Sequence, residues 1–202
     1  MSPAVGRNET AGVLGCRFGM KVYTRKGDDG TTGLLYGGRV GKDEVGPEAY
    51  GAVDEAVSAL GLARAEIDPD SELHELLVRL QRELFVVGAE LATAPENRGK
   101  LTPEVSLVTA EMVTRLEPII DDVSARFDPP QEFVLPGQNS VAATLDFART
   151  VIRRAERISV AATRVGWLGA ESHVVPYLNR VADLVYTLSR WQEGDFRPSR
   201  NP

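Results

Sequence analysis

Cysteine and histidine are scarce in this chain of 202 residues, which has one cysteine, Cys16, and two histidines, His74 and His173. A single cysteine cannot build a disulfide framework within the chain, and this composition fits a reducing cytoplasm. The two histidines have no second ligand at metal-binding spacing, and no HExxH, CxxC or nucleophile-elbow motif occurs. These absences argue against a metal centre held by side chains and against an activated serine nucleophile.

Long apolar runs are also absent. No stretch of about 18 or more apolar residues occurs, so no transmembrane helix is predicted. The net charge of −6 argues against a general nucleic-acid or membrane-surface binder. Hydrophobic residues make up 43% and charged residues 26%, close to the globular average and enough for a real core. We therefore expect a globular, cytoplasmic protein with neither nucleic acid nor membrane as a partner.

The chain divides into three expected segments. Residues 1–19, MSPAVGRNETAGVLGCRFG, have neither the apolar core of a secretory signal nor the arginine-rich pattern of a transit peptide. A disordered leader is therefore predicted there, with Met20 as an alternative start. Residues 20–193 are predicted to form a single domain, and residues 194–202 a frayed polar tail.

Helical periodicity predicts five helices. The clearest is the second, where leucine and valine recur in steps of four and three from Leu73 to Leu91. Ser71 is its predicted N-cap, and Pro95 ends it. The other helices are expected at about 48–66, 109–126, 139–165 and 174–193, with a kink or break at Pro118. Five long helices with short connections predict an all-α, up-and-down bundle.

Residues 20–47 are rich in glycine, which predicts a long loop rather than a helix or a stable strand. Residues 24–38, TRKGDDGTTGLLYGG, combine exposed backbone N–H groups and threonine hydroxyls with the charges of Arg25 and Lys26. Such donors and cations are typical of a polyphosphate cradle, although neither a Walker A nor a Rossmann fingerprint occurs. From composition alone, a flexible linker or a turn rich in aspartate and glycine explains the segment equally well.

The fourth helix contains RTVIRRAER at residues 149–157. At about 100° per residue, Arg149, Arg153 and Glu156 fall within one stripe, Arg157 borders it, and Arg154 points away. Converging arginines repel one another and need a counter-charge from Glu156, another carboxylate or a bound phosphate chain. A solvated helix face with an i,i+3 pair is the more common outcome of such a run.

Three polar residues interrupt otherwise apolar helices. Asn179 and Asp183 lie one helical turn apart in PYLNRVAD. A buried asparagine needs partners, and these are either an adenine edge or ribose, or another helix. Asp54 lies in the alanine- and valine-rich first helix and, if buried, needs a partner such as arginine.

Together these segments resemble the PduO-type ATP:cob(I)alamin adenosyltransferases. The matching pieces occur in the family's order and cover about residues 20–193: KVYTRKGDDGTTGLL, Lys42 with EAYGAVDEAVSALG, LQRELFVVGAELA, FVLPG, ARTVIRRAER and YLNRVADLVY. Three features depart from the usual pattern. Gly33 stands where serine is frequent, Gln138 and Asn139 follow Gly137 where Gly-Ser is frequent, and Pro118 interrupts the third helix.

The resemblance implies an enzyme that transfers the 5′-deoxyadenosyl group of ATP to the cobalt of cob(I)alamin or a related corrinoid, releasing tripolyphosphate. It implies a homotrimer of five-helix bundles preceded by a nucleotide-binding glycine-rich loop. ATP would lie between neighbouring subunits, with Mg²⁺ bound through its phosphates. A flavoprotein reductase and a B12-dependent acceptor enzyme would be its protein partners.

The resemblance also assigns residues by their positions in the motifs. The polyphosphate and Mg²⁺ side would be held by Thr24, Arg25, Lys26, Gly27, Thr32, Gly33 and Lys42. The helices would complete the nucleotide site with Arg153, Arg154, Glu156, Arg157 and Asn179. Asp54 would pair with Arg149 across the subunit interface, and Phe133 would face the corrinoid, as would Tyr186. The residues expected to be catalytic are Arg153, Asp54, Arg149 and Phe133.

The implied chemistry agrees with the missing nucleophile motifs, because cob(I)alamin is itself the nucleophile and needs no deprotonation. The protein would align cobalt with C5′ and neutralise the leaving polyphosphate. Two other readings keep the helical pattern: a nucleotide-binding sensor or corrinoid chaperone without turnover, and a purely structural bundle. The structural bundle leaves the cationic glycine loop and the arginine helix unexplained.

Overall fold

The computed structural model describes residues 23–200. The predicted leader at residues 1–19 and the alternative start Met20 lie outside this range. The described part contains two strands and six α-helices. They are β1 (Thr31–Gly33), β2 (Arg39–Gly41), α1 (Val45–Ala65), α2 (Glu72–Leu91), α3 (Ala110–Thr114), α4 (Glu117–Ser124), α5 (Ser140–Arg164) and α6 (Val174–Glu193), with a 3₁₀ turn at Pro95–Lys100.

The helical prediction is confirmed, with the third helix in two pieces. The leucine and valine seam of α2 is buried from Leu73 to Leu91, and the Ser71 hydroxyl accepts the His74 backbone N–H at 3.2 Å. Pro118 lies in the first turn of α4, where its missing N–H costs no helical hydrogen bond. The chain therefore breaks between α3 and α4 while Met112 and Leu116 stay buried.

The packing order of the helices does not follow their order in the chain. The most extensive contacts join α1 to α5, α5 to α6 and α1 to α2, while α4 packs chiefly on α6. The order in space is therefore α2, α1, α5, α6, α4, which places α1 against a helix distant in sequence. Alanines on the buried faces of α1 and α5, among them Ala52, Ala56, Ala148 and Ala155, allow this close approach.

The prediction that residues 20–47 contain no stable strand is wrong. Strands β1 and β2 pair antiparallel with Thr32 opposite Val40. Glycine is needed in the connection between them, where Gly37 and Gly38 have φ of 100° and 99°. The Leu35 N–H donates to the Ala92 carbonyl at 2.9 Å, which ties this hairpin to the end of α2.

The predicted frayed tail after Gly194 is wrong for residues 196–199. The Leu135 N–H donates to the Arg197 carbonyl at 2.8 Å, and the Ser199 N–H donates to the Phe133 carbonyl at 2.7 Å. The Phe196 ring also meets the Phe127 ring edge-on, with centroids 6.3 Å apart. The C-terminal segment therefore forms an antiparallel bridge against the loop before α5. None of the helices in residues 23–200 combines the length and hydropathy that a membrane span requires.

Candidate functional site

In the glycine-rich loop, a cationic side chain bonds to the backbone of the loop itself. The Lys42 ammonium donates to the Gly27 carbonyl at 2.8 Å, and a Cβ at Gly27 would lie 3.1 Å from the same nitrogen. Glycine is therefore the residue that lets Lys42 reach across the loop. The Asp29 carboxylate accepts the Thr31 N–H at 2.9 Å and its hydroxyl at 2.8 Å, and these bonds lower the pKa of Asp29.

Sequence reasoning missed a further cation of this loop, Arg39. Its Nε donates to the Thr31 hydroxyl at 3.1 Å, and its Nη2 donates to the Lys26 carbonyl. Its guanidinium also lies 3.7 Å from the Asp29 carboxylate. Arg39 thus ties the returning strand β2 to the loop it follows. The available signal was a basic residue directly after Gly37-Gly38, within reach of the loop.

The structure gathers the predicted phosphate-binding residues in one exposed segment. Thr24, Arg25 and Lys26 are exposed, and Arg25 takes the left-handed conformation with φ of 59°. The other members of the set continue the same hairpin. Gly27 and Lys42 are joined by the hydrogen bond above, whereas Thr32 and Gly33 lie in β1. The result is an exposed loop in which Arg25, Lys26 and Lys42 lie beside the carboxylates of Asp28 and Asp29.

A cavity of about 370 Å³ opens between α5, α6 and the loop before α5. Four residues predicted to belong to the site line it together: Phe133, Arg149, Arg153 and Tyr186. Phe133 is 86% exposed and Tyr186 is 43% exposed, so both rings are available to a ligand. The remaining lining residues are Val134, Pro136, Asp146, Ala182, Asp183 and Arg190. The cavity therefore joins cations and aromatic rings at one surface.

A buried ionic chain lies behind this cavity, and sequence reasoning missed it. Asp146 accepts from Arg149 Nε at 3.1 Å and from Arg190 Nη2. The other end of the Arg190 guanidinium lies 2.8 Å from the Glu193 carboxylate. Burial raises the pKa of Glu193, against the opposing effect of Arg190. Asp146 and Arg190 are 44 positions apart, so helical periodicity alone does not pair them.

The structure separates two residues that were predicted to bind ATP beside Arg153. Arg154 forms an ion pair with Glu55 on α1, as its position off the Arg149–Arg153 stripe suggests. Arg157 lies on the exposed side of α5 and donates to the Arg153 carbonyl at 3.0 Å. Neither side chain lines the cavity.

Glu156 and Asn179 form a bond between helices. The Asn179 amide donates to the Glu156 carboxylate at 3.0 Å, which joins α6 to α5. The sequence left two kinds of partner open for Asn179, a nucleotide or another helix, and within the chain the partner is another helix. This bond fixes the Asn179 side chain close to the arginine-bearing part of α5.

Asp54 lies elsewhere on the surface of the chain. It is exposed and lines an apolar groove of about 410 Å³ between α1 and α2, together with Phe85, which is 65% exposed. Among residues 23–200, Asp54 makes no ion pair, and Arg149 pairs with Asp146 instead. The predicted Asp54–Arg149 contact is therefore not made within one chain, and its formation between chains stays a prediction.

A helical bundle with a cationic glycine loop and a cavity of arginines and exposed aromatic rings defines the class of protein. The sequence profile described as cobalamin adenosyltransferase matches residues 22–192. This chain therefore belongs to the cobalamin adenosyltransferase family, and the predicted resemblance is confirmed.

Individual relatives agree with the family profile. The corrinoid adenosyltransferase of Citrobacter freundii is 40% identical over 173 residues, covering 86% of this chain and 95% of the relative. That of Mycobacterium tuberculosis H37Rv is 40% identical over 170 residues, covering 84% and 87%. The fold is similar to a phenylalanine-to-alanine variant of a PduO-type ATP:corrinoid adenosyltransferase from Lactobacillus reuteri complexed with cobalamin and ATP. The TM-score is 0.77 at 28% identity, covering 90% of this chain and 100% of that chain.

Proposed function

We propose that this protein is an ATP:corrinoid adenosyltransferase that transfers the 5′-deoxyadenosyl group of ATP to the cobalt of cob(I)alamin. A cobalt–carbon bond forms at C5′ as the bond from C5′ to the phosphate oxygen breaks, and tripolyphosphate leaves. The observation that carries the proposal is the cavity in which Arg149 and Arg153 lie beside Phe133 and Tyr186, in a chain of this family.

The charges of the chain suit the leaving group. Tripolyphosphate takes the electrons of the broken bond, so a site that holds several cations stabilises the transition state more than the ground state. Arg153 is exposed at the cavity, and Arg25, Lys26 and Lys42 lie in the glycine-rich loop. No side chain needs to act as a base, because the attacking cobalt carries no proton.

The phosphate side of the site is assigned to the glycine-rich loop. Backbone N–H groups around Gly27 and Gly33, with the hydroxyls of Thr24 and Thr32, would contact phosphate oxygens. Mg²⁺ would bind through the phosphates and supply further positive charge, since it keeps water ligands and needs few protein groups. The exposed oxygen donors of the loop, among them Asp28 and Thr24, suit such an ion.

The aromatic side of the site is assigned to the corrinoid. Phe133 exposes 86% of its surface at the cavity mouth, where a ligand can cover the ring. An apolar ring against the lower face of cobalt would exclude an axial ligand. Four-coordinate cobalt(II) accepts an electron more readily, so Phe133 would aid reduction to the nucleophilic cobalt(I).

The complete site is proposed to form between subunits of a homotrimer. The apolar groove between α1 and α2 exposes Phe85 and places Asp54 at its edge. Arg149 of a neighbouring subunit would pair with this carboxylate. A reductase that supplies the reduced corrinoid and a B12-dependent enzyme that accepts the product are its proposed protein partners.

One assay tests the proposal directly. Purified protein is mixed with ATP, Mg²⁺ and chemically reduced cobalamin, and the visible spectrum is followed for adenosylcobalamin. The expected result is product formation that requires ATP and releases tripolyphosphate. Nucleotide-dependent thermal stabilisation without product would support the alternative of a nucleotide sensor or corrinoid chaperone. No stabilisation and no product would support a structural bundle.

A further inference from the structure

Asp146 divides its carboxylate between two arginines from different helices. Its side chain is 7% exposed on α5. One oxygen accepts from Arg149 Nε at 3.1 Å, and the other accepts from Arg190 Nη2 on α6. The Arg190 side chain is only 2% exposed. A buried carboxylate with two guanidinium partners holds both of them in fixed orientations.

This contact determines which part of Arg149 is free to act. Because the guanidinium is planar, a bond at Nε fixes the plane and therefore the directions of the terminal N–H groups. Within residues 23–200 neither terminal nitrogen of Arg149 has a hydrogen-bond partner, and the side chain lines the cavity. Arg149 therefore lines the cavity with terminal donors whose orientation is fixed by its bond to Asp146.

The same two guanidiniums lie close to the ring of Tyr186. The Arg149 guanidinium lies 5.9 Å from the ring centroid, and that of Arg190 lies 5.5 Å from it. Both distances are within the range of cation–π attraction. Tyr186 lines the cavity together with both arginines. A change at Asp146 is thus transmitted to an arginine and to an aromatic ring at the cavity wall.

We propose that Asp146 is a positioning residue of the adenosyl-transfer reaction. It fixes the plane of the Arg149 guanidinium at the cavity wall, and it holds the Arg149 and Arg190 guanidiniums close to the Tyr186 ring. The inference rests on the proposed function and extends it, because Asp146, with its side chain 7% exposed, is proposed to act through Arg149 and Arg190.

The first test is Asp146→Asn. The new amide keeps one acceptor oxygen for Arg149 but turns an N–H₂ group towards Arg190, so the shared negative charge is lost. We expect kcat to fall by about tenfold, the loss of roughly one charge-assisted hydrogen bond. The KM for ATP should stay within about threefold, because Arg153 and the glycine loop are intact.

In Asp146→Asn the buried Arg190 lies beside an uncharged amide, which should also lower stability. A second variant therefore separates the positioning role from the effect on stability. In Asp146→Asn combined with Arg190→Gln, the two amides can bond each other, and Glu193, whose pKa burial raises, can take up a proton once Arg190 is gone. We expect the melting midpoint to recover most of its loss. The lowered kcat should remain, because Arg149 still lacks its carboxylate.

Glu83→Gln is the matched control. Glu83 is a buried carboxylate that also serves two arginines, Arg79 at 3.0 Å and Arg115 at 3.3 Å, but it lies outside the cavity. This variant should lower the melting midpoint and leave kcat within about twofold of the wild type.

The outcomes separate the two ideas. An inactive wild type would overturn the proposed function and the role of Asp146 with it. An active wild type with normal kcat in folded Asp146→Asn would overturn the positioning role alone. A double variant that regains both its midpoint and its kcat would show that Asp146 only stabilises the fold.

Discussion

Arg153 is the residue whose charge bears most directly on the proposed reaction. It is exposed at the cavity, and no carboxylate among residues 23–200 forms an ion pair with it. Arg153→Ala should lower kcat/KM for ATP by about tenfold or more, because a charged hydrogen bond is worth about 1.5–3 kcal/mol. Arg153→Lys should recover only part of this, since lysine lacks the planar fork. Steady-state kinetics beside a thermal melt of each variant provides the measurement.

The control for this prediction is on the same helix. Arg164 is exposed in the last turn of α5 and does not line the cavity. Arg164→Ala should therefore keep wild-type kinetics. If both alanine variants show wild-type kinetics, Arg153 is a solvated surface residue without a role in the reaction.

Gly46 contributes to the stability of the fold. A Cβ added there would lie 2.3 Å from the Trp167 ring, and that ring is held by an indole N–H bond to the Leu91 carbonyl at 2.9 Å. Gly46→Ala should lower the free energy of unfolding by about 1–3 kcal/mol through overpacking. Gly51→Ala, where no atom lies within 4 Å of the added carbon, should be neutral or stabilising. Chemical denaturation of both variants distinguishes them.

At the residue scale, the sequence predicted which side chains share one face of a single helix. The stripe of Arg149 and Arg153 follows from a 3.6-residue period, and the cavity confirms that the two lie together. The Asp146–Arg190 pair was not predictable, because it depends on how α5 and α6 are aligned. The ion pair of Arg154 with Glu55 was not predictable either, because it depends on how α5 and α1 are aligned.

At the scale of elements, the C-terminal segment supports the loop that carries Phe133. Its two backbone hydrogen bonds join it to Phe133 itself and to Leu135, and Phe196 anchors it on Phe127. Deletion of residues 195–202 should loosen the loop and raise the KM for cob(I)alamin several-fold, about 1 kcal/mol for the lost backbone bonds. The KM for ATP should change little. Unchanged corrinoid kinetics in the truncated chain would show that the loop holds its shape alone.

The two elements missed from sequence have a common physical cause. Strands β1 and β2 have three residues each, too few for an alternating pattern to emerge. The bridge from Val134 to Pro198 is a single pair between distant segments. The helices, by contrast, run over many turns and repeat their apolar spacing, so their bounds were predicted within a few residues.

At the scale of the molecule, the proposed trimer explains why the parts of the site lie on different faces. Sedimentation of the wild type should give three times the chain mass. Asp54→Ala should lower activity, because the proposed ion pair with Arg149 of a neighbouring subunit is lost. The thermal stability of the individual subunit should change little, because Asp54 is exposed. A monomer with full turnover would contradict both the pairing and the shared site.

The extensive contact between α1 and α5 has a consequence for folding during synthesis. Helix α1 ends at Ala65, whereas α5 begins at Ser140. The hairpin of α1 and α2 emerges from the ribosome long before α5, and the alanine face of α1 then has no partner. Cooperative burial of that face must wait until Arg164 has emerged, so folding of the core is a late event. The nascent α1–α2 hairpin is therefore the piece that a chaperone would meet.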